Sequence, residues 1–114
     1  MTTKLYVQLA SDANPDYITN FRGLIEQLGK MTINPLYVPC ECLEQASAIC
    51  QHFIDINGLG GGNFTGGRVV DEQFNFVARI SYNGCAWSTE QYIAGDQPIS
   101  LNFQLFQSYQ KQLL

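Results

Sequence analysis

Residues 57–87, NGLGGGNFTGGRVVDEQFNFVARISYNGCAW, constrain the fold more than any other stretch of the chain. Asn57-Gly58 suits a left-handed helix stop. Six glycines fall between Gly58 and Gly67, which marks a loop. Arg68-Val69-Val70 then reads as a strand and residues 71–73 as a turn. Phe74, Phe76, Ala78, Ile80 and Tyr82 alternate with Asn75, Val77, Arg79, Ser81 and Asn83, the period of a strand with two unlike faces. Asn83-Gly84 is the preferred pair for a type I′ hairpin. A two-residue loop there predicts Tyr82 opposite Cys85 and Ile80 opposite Trp87, with all four on the apolar face.

The rest of the chain alternates strands with helices. Leu5, Val7 and Leu9 share one face of a strand over residues 4–10. Asn14 is a helix cap with Pro15 at the first helical position, and Tyr17, Phe21, Leu24 and Leu28 follow at helical spacing up to Gly29. Leu36-Tyr37-Val38, between Pro35 and Pro39, reads as a short or edge strand. From about Glu41 a second helix turns Leu43, Ala46, Cys50, Phe53 and Ile54 inward. Its outer face carries Glu44, Gln45, Gln51, His52 and Asp55. Residues 99–105 alternate like a strand, yet Leu101, Leu105, Phe106, Tyr109 and Leu113 fit a helix, which composition favours. The order is β-α-β-α-β-β-β-α. It predicts one α+β domain over residues 1–114, a mainly antiparallel sheet with a hairpin meander, covered by two or three helices.

Composition narrows the function classes. Charged residues make up 14 % of the 114-residue chain, against about 25 % in an average domain. A surface finished largely with neutral amides favours self-association or a protein partner. Six basic residues against ten acidic ones cannot form a broad phosphate-binding face, so nucleic acid is disfavoured. No run approaches a membrane span and no secretory leader is visible, so the expectation is a cytoplasmic protein with reduced thiols.

Several motifs invite chemistry and lack its requirements. The glycine loop has no GK[ST], and position 63 is Asn where a dinucleotide fingerprint from Gly58 would need glycine. It also leaves a helix and enters a strand, so no helix N-terminus faces an anion there. A helix stop plus close strand crossing accounts for it, with an anion-holding backbone nest as the functional alternative. Cys40, Cys42, Cys50 and His52 lie close in sequence. The spacing is CxC, however, and His52 sits about 200° around the helix from Cys50. Buried thiols are expected, with no metal site, no cofactor and no catalytic set. Asp71-Glu72 reads as a solvated turn.

The second face of the predicted hairpin is the candidate site. Arg79 and Ser81 lie on it with Arg68 on the neighbouring strand, and Asn63 belongs to the adjoining loop. Together Asn63, Arg68, Arg79 and Ser81 could take a carboxylate or phosphate between the glycine loop 58–67 and the sheet. A solvated outer sheet face is the competing reading. The run LGGGNFTGG…VARISYNG…W, residues 59–87, resembles small uncharacterised proteins of cyanobacteria. That resemblance implies a soluble bacterial protein and carries no activity or catalytic residue with it. Two expectations remain. One is a non-catalytic module that binds a protein partner or itself, homo-oligomers included. The other is a small-molecule or anion binder, or a small enzyme, built around Arg79.

Overall fold

The computed structural model of the chain describes residues 4–10, 37–58, 64–91 and 93–113. The helix predicted between Asn14 and Gly29, and Asn63, lie outside the described residues. The described elements are β1 (Leu5–Gln8), β2 (Tyr37–Cys40), α1 (Leu43–Asn57), β3 (Arg68–Val70), β4 (Phe76–Ile80), β5 (Ala86–Trp87) and α2 (Phe103–Leu113). The five strands form one antiparallel sheet in the order β2-β1-β3-β4-β5. This is the α+β architecture that the alternation predicts. Among the described residues two helices cover the sheet. None is long and apolar enough to cross a membrane.

Register sets the two faces of the sheet. Val7 stands opposite Val38 and Val69, and Val69 stands opposite Ala78. Directly paired residues share a face, so these four side chains line one side, with Ile80 and its partner Ala86. All six are buried in the main core cluster, together with Ala46, Ile49, Cys50, Phe53 and Ile54 of α1 and Leu113 of α2. Helix α1 buries five consecutive residues, Ala46 to Cys50, because the sheet lies against one side of it and α2 against another. Burial of its aliphatic groups supplies the main stabilisation of the helix, each large side chain contributing about 1.5–3 kcal/mol. Gly58 ends α1 in the left-handed conformation (φ 61°), as the Asn-Gly pair predicts.

Helix α2 opens later than Pro98. Asn102 caps it, its Oδ1 accepting from the Leu105 N–H at 3.0 Å, and the Asn102 N–H donates to the Glu44 carboxylate on α1 at 2.9 Å. The strand signal at residues 99–105 survives as a single bridge between Ile99 and Ala86. Helix periodicity prevails beyond it because Phe106, Tyr109 and Leu113 reach the core from one side.

Two details of the hairpin correct the sequence reading. The first is the register. Ser81 N–H donates to Cys85 O at 2.9 Å and Gly84 N–H to Ser81 O at 2.9 Å, so the loop is Tyr82-Asn83-Gly84, three residues long. Arg79 therefore faces Trp87, and Ile80 faces Ala86. A type I′ turn needs positive φ at both central residues. Here Gly84 alone adopts it, at 87°. Helix α1 holds the loop in this form: Ser47 Oγ donates to Gly84 O at 2.7 Å and Gln51 Nε2 to Tyr82 O at 2.8 Å. Tyr82 consequently points to solvent. The second detail is a bulge. Val70 pairs with Phe76 and Val69 with Ala78, which leaves Val77 as the extra residue. The insertion moves Phe76 off the core face and onto the face of Arg68.

The end of the glycine loop is a close crossing. Gly67 has φ 104°, donates to Gln8 O at 2.7 Å and accepts from the Ile80 N–H at 2.8 Å. A Cβ there would lie 2.0 Å from Ile80 O, so only glycine fits.

Candidate functional site

The face turned away from the two described helices carries Tyr37, Pro39, Tyr6, Gln8, Arg68, Val70, Phe76, Arg79 and Trp87, by the register of all five strands. Tyr37 and Val70 are buried yet lie outside the main core cluster, as residues of a second face should. Tyr37 meets Phe74 edge-to-face at 5.3 Å. Phe74 reaches it from a turn organised by Asp71, whose Oδ1 accepts from the N–H groups of Gln73 and Asn75, both at 2.9 Å. Asp71 is thereby a turn-maker.

Arg68 and Arg79 are direct cross-strand partners. Like charges placed so are destabilising unless neighbours spread or balance them. Aromatic rings do part of this: the Arg68 guanidinium lies over Phe76 (5.7 Å) and that of Arg79 over Trp87 (5.5 Å). Arg68 Nη1 also donates to Tyr37 Oη at 3.5 Å, and Nη2 meets Glu90 Oε1 at 3.3 Å. The Tyr37 hydrogen bond, with help from Glu90, holds the pKa of Arg68 above its ordinary value. Arg79 Nε donates to Thr89 O at 3.0 Å. Its Nη2 is buried and has no hydrogen-bond partner. A guanidinium nitrogen in that state costs free energy on the order of 1–3 kcal/mol or more.

These groups surround a cavity of about 200 Å³, lined by Gln8, Thr65, Gly66, Arg68, Phe76, Arg79 and Glu90. Two cations and one carboxylate leave a local excess of one positive charge in a chain whose net charge is −4. Arginine forks match planar oxyanions, so the arrangement can hold an anionic group by charge-assisted hydrogen bonds.

Of the four sequence candidates, Arg68 and Arg79 come together, beside the end of the glycine loop. Ser81 does not join them. Its Oγ donates to Asn83 Oδ1 at 2.5 Å and accepts from Trp87 Nε1 at 3.0 Å, so it positions the ring under Arg79. Asn63 lies outside the described residues. Sequence reasoning missed Glu90, Phe76 and Trp87. Glu90 carried a signal, as the lone acid between Trp87 and Gly95. Phe76 and Trp87 were hidden by the bulge and by the loop length.

The thiol region behaves differently. Cys40 and Cys50 are buried, and burial, with Cys40 nearby, drives the Cys50 pKa far up, which leaves a thiol unsuited to nucleophilic work. No group of three His, Cys, Asp or Glu side chains converges among the described residues. Tyr109 Oη donates to Glu41 at 3.1 Å, and its pKa is raised chiefly by a hydrogen bond with Cys42; these contacts tie α2 to the start of α1. His52 departs from its expected outer face. It is half-buried beside Gln107 and Lys111, because α2 packs along that side of α1. Desolvation lowers its pKa, against an opposing pull from Asp55.

No family model, no curated protein and no solved structure matches the chain.

Proposed function

We propose that the protein is a non-catalytic binding module whose ligand presents an anionic group to Arg68 and Arg79. The observation that carries this reading is the pair itself: two arginines opposite one another on adjacent strands, a single carboxylate that contacts Arg68 alone, and Arg79 Nη2 buried without a partner. The aromatic rings and Tyr37 hold both side chains in place before a ligand arrives, which lowers the entropy lost on binding. The test is thermal melting in acetate, citrate, sulfate and phosphate at constant ionic strength, for wild type and Arg79→Met. The wild type should gain stability with at least one anion and the variant should gain none. Equal responses from the two, or no response from the wild type, would sink the reading.

A second reading, association with a protein partner or a second copy, is supported by the opposite side of the molecule. There a cleft of about 400 Å³ between α1, α2 and the hairpin loop includes Ile99, Leu101, Phe103 and Phe106. Phe103 is 66 % exposed, and Tyr82 on the hairpin loop and Leu105 on α2 are exposed as well. Edge pairing of sheets is the less favoured route, since β2 contains Pro39 and β5 has two residues. Sedimentation of wild type and Phe103→Ser over a wide concentration range decides the matter. A wild type that stays monomeric throughout removes self-association from consideration.

A further inference from the structure

We infer that Glu90 is a built-in stand-in for the ligand: the site takes a carboxylate, and Glu90 must leave Arg68 for that carboxylate to bind. This inference rests on the anion-binding reading above and adds the ligand class and an internal competitor.

The contact between Arg68 and Glu90 is a single one at 3.3 Å, and the two side chains are 36 % and 57 % exposed. A solvated pair of that geometry is weak. The guanidinium keeps two further contacts when Glu90 leaves, one over the Phe76 ring and one to Tyr37 Oη. The acid is thus the easily moved half of the pair and the base the fixed half. Chain anchoring lies one residue earlier. Thr89 O accepts from Arg79 Nε at 3.0 Å, and Thr89 Oγ1 donates to Asp96 Oδ2 at 2.9 Å. Glu90 can therefore swing out by side-chain rotation while Thr89 stays on Arg79.

Space and charge fit a carboxylate. The cavity of about 200 Å³ is smaller than the 300–1,000 Å³ typical of drug-sized ligands. It suits a small acid, or the carboxylate end of something larger. Arg68 and Arg79 both line the cavity, so a carboxylate that displaces Glu90 meets two arginines, one of which holds a nitrogen without a partner. The group that already bridges into the site is a planar, singly charged carboxylate, which matches the fork of one guanidinium.

The test is a binding titration, followed by calorimetry at fixed ionic strength, of wild type, Glu90→Gln and Arg79→Met. The probes are sodium acetate, succinate, inorganic phosphate, and N-acetylated triglycine with either a free or an amidated carboxyl terminus. Glu90→Gln should bind the carboxylate probes roughly 2- to 5-fold more tightly than wild type, the worth of one exposed ion pair. Arg79→Met should lose that binding. Response to acetate or succinate identifies a free acid as sufficient; response to the free-ended peptide alone identifies a chain terminus as the source. If wild type binds a carboxylate and Glu90→Gln binds it no better, the stand-in role of Glu90 is overturned while the anion site stands. If phosphate binds Glu90→Gln as tightly as the carboxylates do, the assigned ligand class is wrong. If neither wild type nor Glu90→Gln binds any probe, the anion site itself fails.

Discussion

On the helical face of the sheet, Val7, Val38, Val69, Ala78, Ile80 and Ala86 lie against α1 and are fully buried or nearly so. On the opposite face the same strands carry Tyr37, Gln8, Arg68, Phe76, Arg79 and Trp87, with polar tips, aromatic bodies and two positive charges. The first face is saturated. Its side chains have no directional requirement, and packing satisfies them. The second face is not, because Arg79 Nη2 stays buried without an acceptor. The contrast separates what stability needs from what binding needs. Apolar contact alone would have completed the second face more simply, so two opposed arginines are costly unless something receives them.

Substitutions test that division. The largest effect should come from Ile49→Ala on α1, a fully buried site, with a loss of about 2–5 kcal/mol by urea denaturation. A loss under about 1 kcal/mol would show that the helical face is loosely packed. Ser47→Ala should cost about 1–2 kcal/mol, since it leaves the Gly84 carbonyl without its donor and loosens the hairpin loop. Arg79→Met should remain within about 1 kcal/mol of wild type. It removes an unpartnered buried nitrogen along with the Thr89 and Trp87 contacts. A loss comparable to that of Ile49→Ala would make Arg79 a structural residue and erase the contrast between the faces.

The smallest effect concerns His52, which lies beside both helices. Its folded-state pKa is lowered from 6.5, so the unfolded chain takes up the proton more readily. Its contribution to stability is full above about pH 6.5 and is lost as pH falls through the lower folded value. His52→Gln should flatten the wild-type decline in melting temperature within that window. An unchanged slope would place the titration elsewhere.

Much of the first face was legible from alternation, because apolar side chains at period two or 3.6 report burial directly. The candidate site was legible only in part. Arg68 and Arg79 share a face by simple counting along adjacent strands, but the rings beneath them could not be assigned by counting. Phe76 changes face at the Val77 bulge, and Trp87 changes face because the loop holds three residues. Glu90 arrives from a segment with no periodicity at all.

The Gly58 helix stop, strand β3 and the carboxyl-terminal helix are set largely by local chemistry: left-handed backbone, side-chain period and helix propensity. The hairpin register belongs to the tertiary structure. Ser47 and Gln51 hold the loop from 37 and 31 residues away. In a pleated strand one residue more or less sends every later side chain to the other face. Two hydrogen bonds from α1 thus help decide that Trp87, and not its neighbour Ser88, lies under Arg79.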